Sequence, residues 1–241
     1  SGPNDFKLLI NDLQFDLPYG KYVDDTTVVS VSSQPTDYSL QAASNQLCTW
    51  CDDNGMQINV KKTKEMLIHF GKGVSNSEVP LLSINNVSVE RVATFKLLGV
   101  VFSSDLSWGN HVSYLLHKVS KRYYFIYQLV RVGLPASDII VIYCSMIRSI
   151  LEYACPVWHC GLTSSQSADI ERVQKRCLKI VYPALSYREG LQIAGLEKLC
   201  IRRERFVREL FKDIKDTNHV LHNILPTRLS LITSTRNSYI Y

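Results

Sequence analysis

The chain lacks an apolar run that is both long and clean enough to cross a bilayer: its most apolar stretch, Leu134 to Leu162, is interrupted by Asp138, Arg148 and Glu152. It also lacks a secretory segment, and no methionine precedes Met56. A sequence that begins Ser1-Gly2-Pro3 is therefore expected to be a piece of a longer intracellular polypeptide, nuclear or cytoplasmic, with no membrane partner. An even set of cysteines is missing too. The seven present (48, 51, 144, 155, 160, 177 and 200) are scattered through apolar stretches, which points to reduced, mostly buried thiols rather than a disulfide framework. Cys48 and Cys51 have the spacing of a metal-ligand pair, but no second pair at finger spacing completes a zinc set, and Cys155, His159 and Cys160 are equally incomplete.

Disorder is excluded by what is present. Hydrophobic residues make up 46% of 241 residues, ample for a buried core in one large domain or two small ones. The net charge of +5 is unevenly placed: residues 1–108 carry 8 Lys and Arg against 12 Asp and Glu, whereas residues 109–241 carry 19 against 10. An acidic half beside a basic half fits a metal-binding module followed by a polyanion-binding one.

The pattern along the first half is that of strands and turns around one helix. Lys21 to Val31 reads as a hairpin with Asp24-Asp25-Thr26 in its turn and Val28, Val29 and Val31 supplying β-branched content. Thr36 or Asp37, after Pro35, is placed to cap a helix in which Leu40, Ala43, Leu47, Trp50 and Cys51 recur at three- and four-residue spacing, and Asn54-Gly55 should end it. Strands are expected over Met56–Val60 and Glu65–Phe70, around the basic turn Lys61-Lys62-Thr63-Lys64. A hairpin is expected around Asn85-Asn86, and a last apolar strand over Phe95–Phe102.

After Trp108 the period becomes helical. Val112, Leu115, Leu116, Val119, Tyr123, Ile126 and Val130 trace one face, broken at Gly133-Leu134-Pro135. Further helices are expected from Ser137 to about Tyr153, from Ser165 to about Val181 and from Glu197 to Lys215. In the third of these four helices Ile170, Val173, Cys177 and Ile180 should face inward and Arg172, Lys175, Arg176 and Lys179 outward. In the fourth, Leu199, Phe206, Leu210 and Ile214 should be buried and Arg202, Arg203, Arg205, Arg208 and Lys212 exposed. The dense Arg202-Arg203-Glu204-Arg205 cluster is a candidate contact for nucleic-acid phosphates, against the plainer reading of a solvated face.

The chemistry-bearing feature of the first half is Tyr22-Val23-Asp24-Asp25. Adjacent carboxylates on a rigid hairpin suit Mg²⁺ in phosphoryl or nucleotidyl transfer, although most Asp-Asp pairs, such as Asp52-Asp53, are solvated turns.

With these residues in hand, the chain resembles the reverse transcriptase of non-LTR retrotransposons of the jockey and related LINE-type groups, over nearly its whole length. Gly2-Pro3, Phe6 and Ile10-Asn11-Asp12-Leu13 resemble the family's template- and nucleotide-contacting motif. Tyr22-Val23-Asp24-Asp25 is similar to its catalytic box. Trp50, Gly55 to Asn59 and Lys62-Thr63 are similar to the block that follows, and Phe95 to Val100 to the hairpin that grips the primer end. Leu151-Glu152-Tyr153, Pro156-Val157-Trp158 and Ile170 to Arg176 resemble the thumb and the helical region after it.

The resemblance implies an α+β fold: a partial polymerase palm of antiparallel hairpins with a packed helix over residues 1–108, then an all-α thumb-like region over 109–241. It implies RNA-directed DNA synthesis on an RNA template with a DNA primer and deoxynucleotides, using two Mg²⁺ ions. Asp24 would be the principal metal ligand and Asp25 the supporting one. Tyr22 would lie beneath the primer end, Leu98 and Gly99 would belong to the primer grip, and Lys62 would approach the leaving pyrophosphate. The family's further catalytic Asp and its fingers lie upstream, in the rest of the parent chain, so the fragment itself is expected to be inactive. The alternative is a non-catalytic RNA- or DNA-binding module held by the basic helices alone.

Overall fold

A computed structural model describes residues 10–33, 37–70 and 79–225; Gly2, Pro3, Phe6 and Thr36 lie outside the described residues. The fold is mixed α+β, with small hairpins first and helices after, in two units, residues 1–111 and 112–241.

Turn chemistry shapes the first unit. Strands β1 (Tyr19–Tyr22) and β2 (Asp25–Val28) pair antiparallel with Tyr22 opposite Asp25, so the turn is Val23-Asp24, one residue earlier than expected. Helix α1 (Ser39–Asp53) is preceded by Asp37, whose Oδ1 accepts from the Ser39 amide at 2.8 Å and whose carboxyl is thereby held below its ordinary range. The helix ends as Asn54-Gly55 predicts: Gly55 has φ +63°, its amide donates to Asp52, and the Met56 amide donates to Cys51 at 2.8 Å. These are the two bonds of a glycine-terminated Schellman cap. Ala43 of this helix packs with Leu13 and Phe15, and Leu17, Val28, Leu47 and Trp50 close over them.

The expected strand over Met56–Val60 is absent. Asn59 accepts from the Lys62 and Thr63 amides through its carbonyl and from Lys62 again through Oδ1, and a segment bonded to itself in this way turns instead of extending. Glu65–Phe70 is likewise reduced to β3 (Lys64–Glu65), which pairs parallel with β6 (Glu90–Arg91). Its anchor is an ion pair between buried Glu65 and Arg91, 2.8 Å. Between them β4 (Ser83–Ile84) and β5 (Val87–Ser88) form the expected hairpin, with Asn85 and Asn86 both at positive φ. Phe95–Phe102 is not one strand. It folds back at Leu98-Gly99, φ +45° and +87°, into antiparallel β7 (Thr94–Leu97) and β8 (Val100–Ser103). The buried His111 ring then accepts a hydrogen bond at Nδ1 from the Val101 amide, 3.2 Å.

The division between units falls inside α2 (Gly109–Ser120), which is followed by α3 (Arg122–Arg131); the single expected face therefore belongs to two helices separated at Lys121. Helix α4 (Ala136–Tyr143) continues through a π turn (Cys144–Arg148) into α5 (Ser149–Glu152), and left-handed Ala154 separates these from α6 (Cys155–Trp158). The run Ala136–Gly161 has the length and mean hydropathy, 1.4, of a span, but it breaks at Ala154 and carries the Arg148–Glu152 ion pair. No clear membrane-spanning helix is present among the described residues. Helix α7 (Ser164–Val181) starts at a capping box between Thr163 and Gln166. Its Ile170, Val173 and Cys177 are buried as the period predicts, Ile180 is half-buried, and Arg172, Lys175, Arg176 and Lys179 are exposed. Helices α8 (Tyr187–Ile193) and α9 (Leu199–Ile214) complete the unit.

A polar network ties these helices together. Buried Gln174 accepts from the Tyr143 hydroxyl (2.8 Å) and donates to the Tyr187 hydroxyl (3.0 Å) and the Glu197 carbonyl (2.9 Å). Tyr187 donates in turn to Glu171, whose carboxylate accepts from the Leu199 and Cys200 amides, 3.3 Å each. Since no side chain of its own segment caps α9, Glu171 of α7 supplies the acceptors for its first turn.

Two outcomes are expected. Gln174→Ala strands the Tyr143 hydroxyl in the core and should cost about 3 kcal/mol, measured by urea unfolding of the helical unit. Burial pushes the His111 pKa down to about 4 from 6.5, so the unfolded chain takes up the proton first. His111 therefore contributes stability that is present above pH 6.5 and lost as pH falls toward 4, by up to about 3 kcal/mol. The difference between the wild-type and His111→Gln unfolding curves across that window checks it.

Candidate metal and nucleic-acid site

The hairpin that carries Asp24 and Asp25 is fixed from below. Lys21 on β1 spends its ammonium on backbone carbonyls, donating to Ile10 and Leu13 at 2.7 Å each and to Asn11 at 3.4 Å. Tyr19 packs edge-on to Phe15 at 5.2 Å between ring centres, and Val28 of β2 joins the α1 cluster. Lys21 thus ties the Ile10–Leu13 segment to the hairpin, a role that its place in an alternating strand did not advertise.

The tip itself is strained. Val23 sits at φ +55°, where a β-branched side chain crowds its own backbone, at a cost of order 1–3 kcal/mol. Positive φ at the first central residue alone is the pattern of a type II′ turn. Asp24 and Asp25 are both exposed and make no ion pair among the described residues, and Tyr22, across the ladder from Asp25, is 61% exposed. No group of three or more His, Cys, Asp or Glu able to hold a metal occurs among the described residues. The tip therefore offers the one or two carboxylates that Mg²⁺ takes from a protein when phosphates and waters complete its shell, and not a preformed cage.

The other expected site residues of this unit occupy two further turns. Lys62 is exposed on the Asn59 turn, and no hydrogen bond or ion pair joins it to Asp24 or Asp25 among the described residues. Leu98 and Gly99 form the tip of the β7–β8 hairpin, the second place in this unit where a bulky side chain is held at positive φ.

The arginine cluster of α9 is corrected by the structure. Arg203, expected to be exposed, is fully buried: it lies 5.8 Å over the Trp158 ring, its Nε donates to His159 Nδ1 at 3.3 Å and its Nη2 to Ser167 at 3.1 Å. Arg202 is largely buried in a two-pronged pair with Glu152, 2.6 and 3.2 Å. Arg205 is 44% exposed and pairs with Glu197 at 2.8 Å. Leu199, Arg203, Phe206 and Leu210 share one helical stripe, which puts Arg203 on the inward face. Three arginines within four residues conceal that spacing.

On α7, by contrast, Arg172, Lys175, Arg176 and Lys179 face solvent together. Comparison with protein-family models, with curated proteins and with solved structures finds no match for the chain.

Arg203→Ala should destabilise the helical unit by about 3 kcal/mol through lost buried contacts, whereas Arg208→Ala, at an exposed pair with Glu204, should stay within about 0.5 kcal/mol of wild type. Thermal melts of the two variants distinguish these values.

Proposed function

We propose that the chain is part of an RNA-directed DNA polymerase of the non-LTR retrotransposon kind, its first unit a partial palm and its second a thumb-like region that holds nucleic acid. One observation carries the reading: two adjacent, exposed carboxylates stand at the tip of a strained and firmly anchored hairpin. The motif order along the sequence, with the later tight hairpin at Leu98-Gly99, supports it.

In this reading Asp24 is the principal Mg²⁺ ligand and Asp25 the supporting one. The metal, when bound, supplies Lewis acidity to the primer 3′-hydroxyl and to the phosphates. The chain's own residues position the reactants. Tyr22 offers an exposed ring next to Asp25 for the primer end, Leu98 and Gly99 offer a rigid backbone turn for the primer strand, and Lys62 offers an exposed cation for the leaving pyrophosphate. A second ion calls for a further carboxylate, which the resemblance assigns to an upstream strand, so partners include the rest of a parent polymerase.

Primer extension on an RNA template tests the reading. The chain alone with Mg²⁺ should extend nothing. Joined to the upstream palm and fingers it should extend the primer, and Asp24→Asn should lower the rate about 10³-fold. Extension unaffected by Asp24→Asn would remove the catalytic role and leave a nucleic-acid-binding module.

A further inference from the structure

The helical unit holds a groove of about 480 Å³ whose walls are the outer face of α7, the turn after it and α8. Arg172, Lys175, Arg176 and Lys179 line it together with Tyr182 and Tyr187. At positions i, i+3, i+4 and i+7 the four cations follow one edge of the helix over about 10 Å. All four are exposed, and what holds them leaves their charge outward. Arg176 is stacked 4.4 Å over the Tyr123 ring, and Lys179 donates to the Pro183 carbonyl at 2.6 Å; neither partner is an anion. Arg172 pairs with Asp169 while remaining 71% exposed, an arrangement that neutralises little. The nearby carboxylates are otherwise engaged: Glu171 accepts from Tyr187 and two backbone amides, and Glu189 closes the capping box of α8.

We propose that this groove seats the phosphate backbone of nucleic acid, with the duplex of RNA and DNA as its occupant. The proposal rests on reading the second unit as a nucleic-acid-binding region, and it moves that role from the α9 arginines to α7. Charge spacing favours a nucleic acid over an acidic protein. A nucleic-acid strand carries a charge on every nucleotide, so a line of cations over about 10 Å can face two or three phosphates of one strand, a regular repeat that scattered acidic side chains do not offer. Pre-ordering of Arg176 by Tyr123 and of Lys179 by Pro183 lowers the entropy lost when a backbone docks.

The experiment is a salt titration of the full chain against a fluorescein-labelled RNA–DNA hybrid. With about three phosphates engaged, log affinity should fall with log salt at a slope of about −2.7, so that binding weakens about 40-fold between 50 and 200 mM KCl. Lys175→Gln and Arg176→Gln should each make the slope shallower by about one, and Lys175→Arg should keep it. Arg208→Gln, exposed on α9, should not change it. Circular dichroism on each variant establishes that the helices are retained. Hybrid binding whose slope ignores the α7 substitutions would overturn the groove while leaving the polymerase reading in place. Absence of hybrid binding at any salt would overturn the nucleic-acid role of the unit as well. A polyglutamate peptide that binds more tightly than the hybrid, through the same lysines, would overturn the choice of occupant.

Discussion

The buried guanidinium of Arg203 is the group around which the helical unit has to be arranged. A cation with no exposed surface costs several kcal/mol unless polar atoms and polarisable faces surround it. Here they come from α6, the turn after it and α7: the Trp158 ring, His159 Nδ1 and Ser167. Because His159 must accept at Nδ1, it has to be neutral, and both burial and the neighbouring guanidinium push its pKa down. Burial acts on Arg203 in the same direction, lowering its own pKa. Gln174 and Glu171 follow the same logic one helical turn away. There a carboxylate does for α9 what a capping side chain does elsewhere, and the Tyr143 and Tyr187 hydroxyls are held firmly protonated by burial.

In the first unit the corresponding constraint is conformational. Apart from the glycines, four turns of the first unit hold residues at positive φ, and of these the Asn85-Asn86 turn uses residues suited to it. The other three hold Val23, Leu98 and Leu106 at a cost, so backbone strain is a general feature of this unit's turns and does not by itself single out a site. Strain of this kind persists only where the surroundings fix the backbone. For Val23 they visibly do, through the three carbonyl bonds of Lys21, the Phe15–Tyr19 contact and Val28 in the α1 cluster.

What was legible in the sequence is what depends on local chemistry. Asn54-Gly55 ended α1 with both cap bonds in place, Asn85-Asn86 turned its hairpin, and the apolar period of α7 sorted its buried from its exposed residues almost without error. What was hidden depends on partners distant in sequence or on a residue that disguises its role. Met56–Val60 looked β-prone, but Asn59 satisfied its neighbours' amides first. Leu98 concealed a turn from the residue pattern because leucine seldom adopts positive φ, so Phe95–Phe102 read as one strand there, although the resemblance implied a hairpin at Phe95–Val100. Arg203 was concealed by its neighbours, since a run of arginines suggests solvent even when one of them is spaced with Leu199 and Phe206.

The charge asymmetry of the chain survives these corrections with a new location. Part of the positive charge of the second half is used internally: Arg148 and Arg202 serve Glu152, and Arg203 serves the core. A polyanion responds to the cations left uncompensated at the surface and not to the formal sum. Those on α7 are spaced along one edge and set beside a groove, with Arg176 held by an aromatic face, Lys179 by a carbonyl and Arg172 by an exposed pair with Asp169. A helix period that buries Ile170, Val173 and Cys177 necessarily gathers Arg172, Lys175, Arg176 and Lys179 on the opposite side, so the packing of the core and the alignment of the cations are one property of α7.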